Sequence, residues 1–314
     1  FDSTFNYAPH PAPLARNPFA KDEYILGYQR AISEDLSKEV IGTYREVTSA
    51  LDDYCGRYAY PFCVMVNPGE DMSWYKDGYY WDGTQELMPD HETFDGVADP
   101  GSLTTHTAET LMLPEAENKY LSWQAKIDYR AEDYRLNFIY TWSRSWGNFE
   151  GAVKSDIGQA DAGVTQDFDF PAVMDGSSGY QPNDRRHVFK MYGSYDVTED
   201  FTVGFNSTLS SGRPLSAFGQ GYPDTDPNVY GSYGDTFYIY QGCAVEGDTC
   251  AQEDKLYRYA PRGSAGRTPW TFKVDLSAAY AFSYEGVDMR TSINIFNVLN
   301  TQEALALNEH YESS

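Results

Sequence analysis

Residues 119–146, KYLSWQAKIDYRAEDYRLNFIYTWSRSW, decide the fold class of this chain of 314 residues. The stretch contains two runs in which apolar and polar residues alternate, and a short acidic segment separates them. Successive side chains of a β-strand point to opposite faces, so Trp123 and Ile127 fall on one face while Lys126 and Asp128 fall on the other. The stretch therefore predicts a hairpin of two amphipathic strands whose apolar face must be covered by something.

The same alternation recurs in eight long segments, which we predict to be β-strands. They are residues 23–32, 38–50, 118–131, 134–146, 186–197, 201–212, 268–282 and 287–298. Their connections alternate between tight turns of the Asp, Ser and Gly type and long loops. The long loops, which we call the first, second and third loop, span residues 51–117, 147–185 and 213–267. This order of connections places all three at one end of an antiparallel sheet.

Two fold classes have alternating strands of this kind. In a β-sandwich the apolar face meets a second sheet, but such strands usually run about 5–6 residues. Outer-membrane barrels have strands of about ten tilted residues, lipid-facing apolar positions, aromatic girdles and long extracellular loops. The sequence therefore predicts an all-β fold, an antiparallel transmembrane β-barrel, with lipid on the apolar face and the long loops extracellular.

Composition supports this prediction and excludes some functions. Aromatic residues make up 16% of the chain, with 27 Tyr, and mean hydropathy is -0.57. No apolar run is long enough for a transmembrane helix. A net charge of -24, much of it in the acidic first loop, argues against a nucleic-acid partner, because such binding needs clustered Lys and Arg.

The cysteines form two close pairs, Cys55 with Cys63 and Cys243 with Cys250. Pairs at this spacing within loops predict local disulfides in an oxidising compartment. A metal site is the rival interpretation, but neither pair has the C-x2-C spacing and no His lies nearby.

Several strings resemble the later barrel strands of TonB-dependent outer-membrane receptors, and in particular the Oar-like group. These strings are DEYILGYQR (22–30), NDRRHVFKMYGSYDVTEDF (183–201), SSGRP (210–214), PRGSAGRTPWTFKVDLS (261–277) and SINIFNVLN (292–300). The resemblance implies a Gram-negative outer-membrane protein with a 22-stranded barrel that is plugged from the periplasmic side and energised by TonB. It also implies that residues 1–314 are a C-terminal part of the barrel, about eight strands, and that the plug, the early strands and the last strand lie outside this chain. A closed eight-stranded barrel with a filled lumen is the alternative.

Aromatic, Gly-rich segments of the first and third loops are our candidates for ligand recognition, since Tyr and Trp give large contact areas at low entropic cost. The candidates are Trp74, Tyr75, Tyr79, Tyr80, Trp81, Tyr230, Tyr233 and Tyr238. Packing of the loops on one another over the barrel mouth is the alternative, and both roles can hold together.

Four arginines, Arg185, Arg186, Arg262 and Arg267, precede strands at the loop end. They could form a basic patch at the mouth that faces an anionic substrate or the plug. We favour a second interpretation, in which they are rim charges paired with loop carboxylates or with lipopolysaccharide phosphates, which suit the guanidinium fork.

Other chemistry has little support in the sequence. Asp224, Asp226 and Asn228 alternate as in a calcium loop, but the Gly and Glu that such a loop needs are missing, so a solvated acidic turn is favoured and no cofactor is predicted. The histidines have no metal spacing and no nucleophile motif occurs, so we predict that the chain is not an enzyme. A hydrolase assembled from rim carboxylates and a His is a third hypothesis.

The leading functional hypothesis is therefore a TonB-dependent receptor that captures an unidentified ligand with its long loops and imports it. The alternative is a surface-interaction or adhesion protein that uses the barrel as an anchor in lipid and lipopolysaccharide. The sequence does not name the ligand or the surface partner.

Overall fold

The computed structural model describes residues 16–56, 63–75, 80–81, 86–87, 103–160, 163–224, 226, 229, 234–244 and 250–311. Its main body is one antiparallel sheet of eight long strands, β1 to β8, in which neighbours in sequence are neighbours in space. The strands are β1 Ala20–Ala31, β2 Leu36–Ser49, β3 Asn118–Arg130, β4 Tyr134–Gly147, β5 His187–Asp196, β6 Phe201–Ser210, β7 Thr271–Tyr284 and β8 Val287–Ile295. The predicted all-β, antiparallel fold class is confirmed, and an open sheet agrees with part of a barrel wall.

Tight turns join the strands at one end of the sheet, which we call the turn end. The turn between β7 and β8 shows how the sequence sets such a connection, because Glu285 and Gly286 both have positive φ, 50° and 79°. This backbone pattern belongs to two-residue hairpin turns whose twist matches that of the flanking strands. The opposite end of the sheet, from which the long loops emerge, is the loop end.

The polarity of the sheet is the reverse of that in a water-soluble protein. Trp123 and Ile127 are 53% and 46% exposed, whereas the polar Lys126 and Asp128 on the opposite face are partly covered. We call the apolar face of the sheet the outer face. Paired residues of neighbouring strands form a continuous row across this face. That row contains Val40, Ala125, Tyr140, Phe189, Leu209 and Phe272. None of the hydrophobic residues in β1 to β8 is buried.

Short elements interrupt the long loops. The strands are Asp52–Tyr54, Val64–Val66, Met72–Tyr75, Tyr80–Trp81, Glu86–Leu87, Leu103–His106, Gly179–Tyr180, Tyr238–Cys243 and Lys255–Tyr259. The α-helices are Ala108–Leu111 and Pro171–Met174, and the 3-10 helices are Gln166–Phe168 and Gln252–Asp254. No helix in the described ranges is long and apolar enough to cross a membrane.

The described parts of the three loops pack against one another and form a unit that we call the cap. Its largest hydrophobic cluster joins the first loop, which contributes Tyr54 and Val66, to the second loop, which contributes Phe149 and Phe168. The rings of Phe149 and Phe168 pack with their centroids 5.8 Å apart. The buried hydrophobic residues of the described chain thus lie at the loop end rather than in the sheet.

Candidate ligand-recognition site at the loop end

Both predicted disulfides are present in the cap. Cys55 is bonded to Cys63 and Cys243 to Cys250. Among the described residues, Asp53 with Cys55 and Cys63 is the one group whose potential metal-ligating atoms lie close together. Because the two sulfurs are bonded to each other, no thiolate is free to hold a metal, so the disulfide interpretation is the one that the geometry supports.

Arg262 lies at the centre of a buried ionic network. Its guanidinium donates to Asp156 Oδ2 at 3.0 Å, to Asp167 Oδ1 at 2.9 Å and to the carbonyl oxygen of Ser177 at 2.6 Å. The side chains of Arg262 and both aspartates have no exposed surface. The favoured interpretation of Arg262 was a rim charge that pairs with loop carboxylates or with lipopolysaccharide phosphates. It does pair with loop carboxylates, but from a buried position inside the cap, where it joins the third loop to the second.

Lys154 adds a second buried cation to the network. Its Nζ lies 3.0 Å from Asp167 Oδ1 and 5.5 Å from the ring centroid of Phe218. Burial alone would raise the pKa of Asp167, but the charges of Lys154 and Arg262 hold this pKa below its ordinary value. Asp167 is therefore ionised inside the cap, and its charge depends on these two partners.

Asp52 connects the first loop to the second. Its pKa is shifted in the opposite direction to that of Asp167. Asp52 accepts hydrogen bonds from the backbone N–H of Thr165 at 2.8 Å and from the Thr165 hydroxyl at 2.7 Å. Burial raises the pKa of Asp52 to about 7, although these hydrogen bonds act in the other direction. We therefore expect the packing of these two loops to depend on pH near neutrality.

Tyr238, one of the predicted recognition residues, takes part in packing within the cap. Its hydroxyl donates to Asp175 Oδ2 at 2.7 Å, and the hydroxyl of Tyr222 donates to the same oxygen at 2.8 Å. Burial, and then these hydrogen bonds, raise the pKa of both tyrosines. The rings of Tyr222 and Tyr259 pack against that of Tyr238. The alternative of loop-on-loop packing thus fits Tyr238.

The structure says less about the other aromatic candidates. Trp74 and Tyr75 end the strand Met72–Tyr75, and Tyr80 and Trp81 form a two-residue strand, but the description of these four extends to their backbone only. The remaining candidates, Tyr79, Tyr230 and Tyr233, lie outside the described residues. Their role in recognition stays a prediction.

The other three candidate arginines come together at the loop end. The carboxylate of Asp184, whose side chain is fully buried, pairs with Arg267 and, at 3.3 Å, with Arg186. Arg185 donates to the carbonyl oxygen of Ser211 at 3.0 Å. Burial lowers the pKa of Arg185, and the charges of Arg213 and Arg267 lower it further. Sequence reasoning had placed these residues at one rim but had not identified Asp184 as the shared partner of Arg186 and Arg267.

Sequence reasoning also missed an ion pair between Arg213 and Glu309, whose atoms lie 2.5 Å apart. Glu309 is far along the chain from Arg213, and no local pattern signals the pairing. Of the candidate calcium residues, Asp224 and Asp226 are exposed, and the backbone N–H of Asp226 donates to Asp224 Oδ1 at 2.8 Å. Asn228 lies outside the described residues.

Together these features define part of an antiparallel barrel wall that carries a folded cap. No family model matches the chain. Over 187 residues, 58% of the chain, it is 27% identical to the TonB-dependent transporter Oar of Myxococcus xanthus. The chain spans about 15% of the length of that relative. This match confirms the resemblance to the Oar-like group, and a transporter as relative agrees with the prediction that the chain is not an enzyme.

Two solved structures are also similar to this chain. The ferric-catecholate import receptor Fiu of E. coli K12 gives a TM-score of 0.41 at 10% identity, with 94% of this chain and 25% of that chain covered. The outer membrane transporter YddB of Escherichia coli gives 0.42 at 11% identity, with 91% and 29% covered.

Proposed function

We propose that this chain forms part of the wall and the outward-facing cap of a TonB-dependent outer-membrane transporter. The relation to the transporter Oar supports the class, and the polarity of the sheet supports a place in a membrane. TonB as the energy source, a plug and a total of 22 strands belong to the same proposal.

The observation that carries the proposal is the exposed apolar outer face. Leu26, Trp123, Ile127, Tyr280 and Ile293 are between 46% and 78% exposed, and they lie on strands that pair side by side. A soluble monomer rarely leaves so continuous an apolar surface in water, because each Å² costs about 25 cal/mol. Lipid removes that cost, and a polar inner face then lines a wet lumen.

The lengths of the loops support an outward direction of the cap. Outer-membrane barrels place long loops outside and short turns in the periplasm, and the disulfides fit either oxidising side of the outer membrane. With the loop end outside, the cap stands over the lumen and is the first part of the protein that a ligand meets. We therefore assign ligand capture to the cap.

Both sides of the sheet need further strands in a bilayer. Within the described chain, β1 pairs with β2 alone and β8 with β7 alone. An unpaired strand edge in hydrocarbon costs several kcal/mol per backbone group, so the wall must be completed. Strands beyond these eight, as in a 22-stranded barrel, would complete it.

Adhesion, the alternative function, is less well supported because the curated relative is a transporter. Deleting the whole first loop is not a clean test between the two functions. This loop supplies Tyr54, Val64 and Val66 to the shared core, so its loss would also disturb the second loop.

The test of transport compares the culture medium of the source bacterium with that of a strain lacking this protein. Mass spectrometry would show which compounds the wild type removes and the deletion strain leaves. We expect such compounds to remain in the medium of a strain without TonB as well. Removal that continues unchanged without TonB would contradict the proposal.

A further inference from the structure

Three guanidinium groups surround the ring of Tyr180 at the loop end. The guanidinium carbons of Arg186, Arg144 and Arg267 lie 4.9, 5.2 and 5.9 Å from its ring centroid. The Arg144 guanidinium also donates to the Tyr180 hydroxyl. The pKa of Tyr180 is lowered, first by its hydrogen bond with Arg186 and, against burial, by Arg144. The group is thus a compact positive site, which we call the arginine cluster.

Arg144 and Tyr180, the centre of the arginine cluster, project from the outer face of the wall rather than into the lumen. Arg144 lies within β4, two and four residues after Trp142 and Tyr140, so its side chain leaves the strand on their side. Trp142 is paired with Trp123, which is exposed on the outer face. The strand that carries Tyr180 continues the sheet by pairing Tyr180 with Trp146.

Aromatic side chains form a band directly below the cluster, on the side of the turn end. The ring of His187 packs between those of Tyr140 and Trp270, with centroid distances of 6.1 and 6.0 Å. Aromatic rings of this kind mark the level of the lipid headgroups on outer-membrane barrels. The arginine cluster therefore lies at or just outside the headgroup level.

Positive charge in this part of the molecule exceeds its negative charge. Among the described residues, Asp184 is the one carboxylate paired with Arg186 and Arg267, and Arg144 is paired with none. Each guanidinium carries five N–H donors, so most donors of the three lack a protein acceptor in the described contacts. Such an excess is unexpected in a chain of net charge -24, and it fits a site for an external anion.

The backbone beside the cluster is held rigidly. A Cβ atom at Gly179 would lie 2.1 Å from the carbonyl oxygen of Arg262, so only glycine allows this approach. Arg262 is in turn fixed by the buried ionic network of the cap. An open cleft beside Tyr180 is lined by Arg144, Trp146, Gly179, Gly263 and Ser264. A preorganised donor set loses little entropy when it binds an anion.

We propose that the arginine cluster binds a phosphate group of an outer-leaflet glycolipid, the lipid A part of lipopolysaccharide. Guanidinium forks suit the phosphate oxygens, and Trp142 and Trp146 offer apolar surface to the sugar and the start of the acyl chains. Because the site faces outward, it does not lie on the path that an imported ligand would take through the lumen. The inference rests on the proposed function for its orientation, in which the loop end faces outward.

The experiment measures binding of bisphosphorylated lipid A to the purified full-length protein in detergent. Arg144→Gln and Arg267→Gln are expected to weaken binding about tenfold each, the scale of a lost charge-assisted contact. Arg135→Gln is the matched control, because Arg135 lies in the same strand but near the turn end and on the inner face. The control should bind as the wild type does.

Two further probes of the wild-type protein identify the source of the phosphate. Dephosphorylated lipid A should bind at least about tenfold more weakly than the intact lipid. Millimolar inorganic phosphate should not displace the intact lipid. Equal binding of the two lipids, or displacement by inorganic phosphate, would overturn the inference, and the wild-type comparison holds even where a variant fails to fold.

Folding of each variant is checked by the difference in gel mobility between heated and unheated barrel. Arg144→Lys keeps the charge and loses the guanidinium fork, so its affinity for lipid A should lie between those of Arg144→Gln and the wild type. Lipid binding and TonB-dependent uptake are separate readouts. Loss of the lipid A difference alone overturns this inference, and loss of the TonB dependence alone overturns the transport proposal.

Discussion

The wall and the cap are built from one chain by opposite rules. In the wall, the apolar side chains are exposed and the polar side chains of the inner face are partly covered, as Trp123 and Lys126 show. In the cap, Phe168 is fully buried, in the manner of a soluble domain. The contrast fits the proposed setting, because the solvent on each side of an element decides which side chains are buried, and we propose lipid around the wall and water around the cap.

The largest expected effect comes from Arg262→Ala, which would separate the stability of the cap from that of the wall. The change leaves the buried Asp156 without a cation and leaves Asp167 with Lys154 alone. We expect it to lower the free energy of unfolding of the cap by about 3–5 kcal/mol. Limited proteolysis should cut the cap much faster, while the heat-dependent gel mobility of the wall stays unchanged. Arg130→Ala is the control, because its pair with Asp128 is exposed and contributes at most about 1 kcal/mol.

The next effect probes the wall itself. Ala125→Arg puts a charge on the outer face near the middle of β3, where such a change costs about 2–4 kcal/mol in a bilayer. Gln124→Arg puts the same charge on the inner face one residue earlier and should be tolerated. We expect the folded gel band of Ala125→Arg alone to be lost at a lower temperature. Equal losses for the two variants would contradict the assignment of faces.

Removal of a disulfide tests whether the cap can be destabilised without affecting the wall. Replacing Cys55 and Cys63 by Ser opens a short loop and should destabilise the cap by about 2–3 kcal/mol in the chain-entropy account. The rate of proteolysis within the cap should rise, and the wall should keep its mobility. A change in the wall of the same size would show that the two regions unfold together.

The last expected effect, which is small for each pH unit, is a dependence of cap stability on pH. The pKa of Asp52 is about 7 in the folded cap and near 3.8 in the unfolded chain, so the folded cap retains a proton that the unfolded chain loses. This stabilisation is complete below the unfolded pKa and is lost as pH rises through about 7, by at most about 1.4 kcal/mol per pH unit.

Asp52→Asn should therefore give a flatter stability profile between about pH 4 and 7 and a cap more stable than the wild type above that range. Asparagine can keep the bond from the Thr165 backbone and donate to its hydroxyl. Cap proteolysis measured across pH tests this, with the exposed Asp226→Asn as control. An unchanged slope would contradict the assignment to Asp52.

The wall could be predicted from the sequence because its signal is local. Each of the eight predicted strands lies within three residues of the observed bounds at both ends, as with residues 186–197 against His187–Asp196. Alternation of side-chain type and tight-turn residues are both read from neighbouring positions. Alternation alone does not tell whether lipid or a second sheet covers the apolar face. The lengths of the strands and of the loops were needed to favour lipid.

The cap could not be predicted in the same way. Arg262 and Asp167 are far apart in sequence, and only the packing of the second and third loops brings them together. The segments VMV at 64–66 and DFDFPAVM at 167–174 are apolar enough to suggest a core, but they do not name their partners. Arg144, which donates to Tyr180 in the arginine cluster, was missed, although a charged residue at an apolar position of the strand, between Trp142 and Trp146, was a signal for it.

The most direct test of the central claim is a scan of nitroxide spin labels along β3 of the full-length protein in lipid vesicles. Single labels at positions 123 to 128 would be compared for their accessibility to oxygen, which concentrates in lipid, and to a water-soluble nickel complex. We predict a period of two, with Trp123, Ala125 and Ile127 open to oxygen and Gln124, Lys126 and Asp128 open to the nickel complex. Oxygen access without this period, or with the two faces exchanged, would contradict the account.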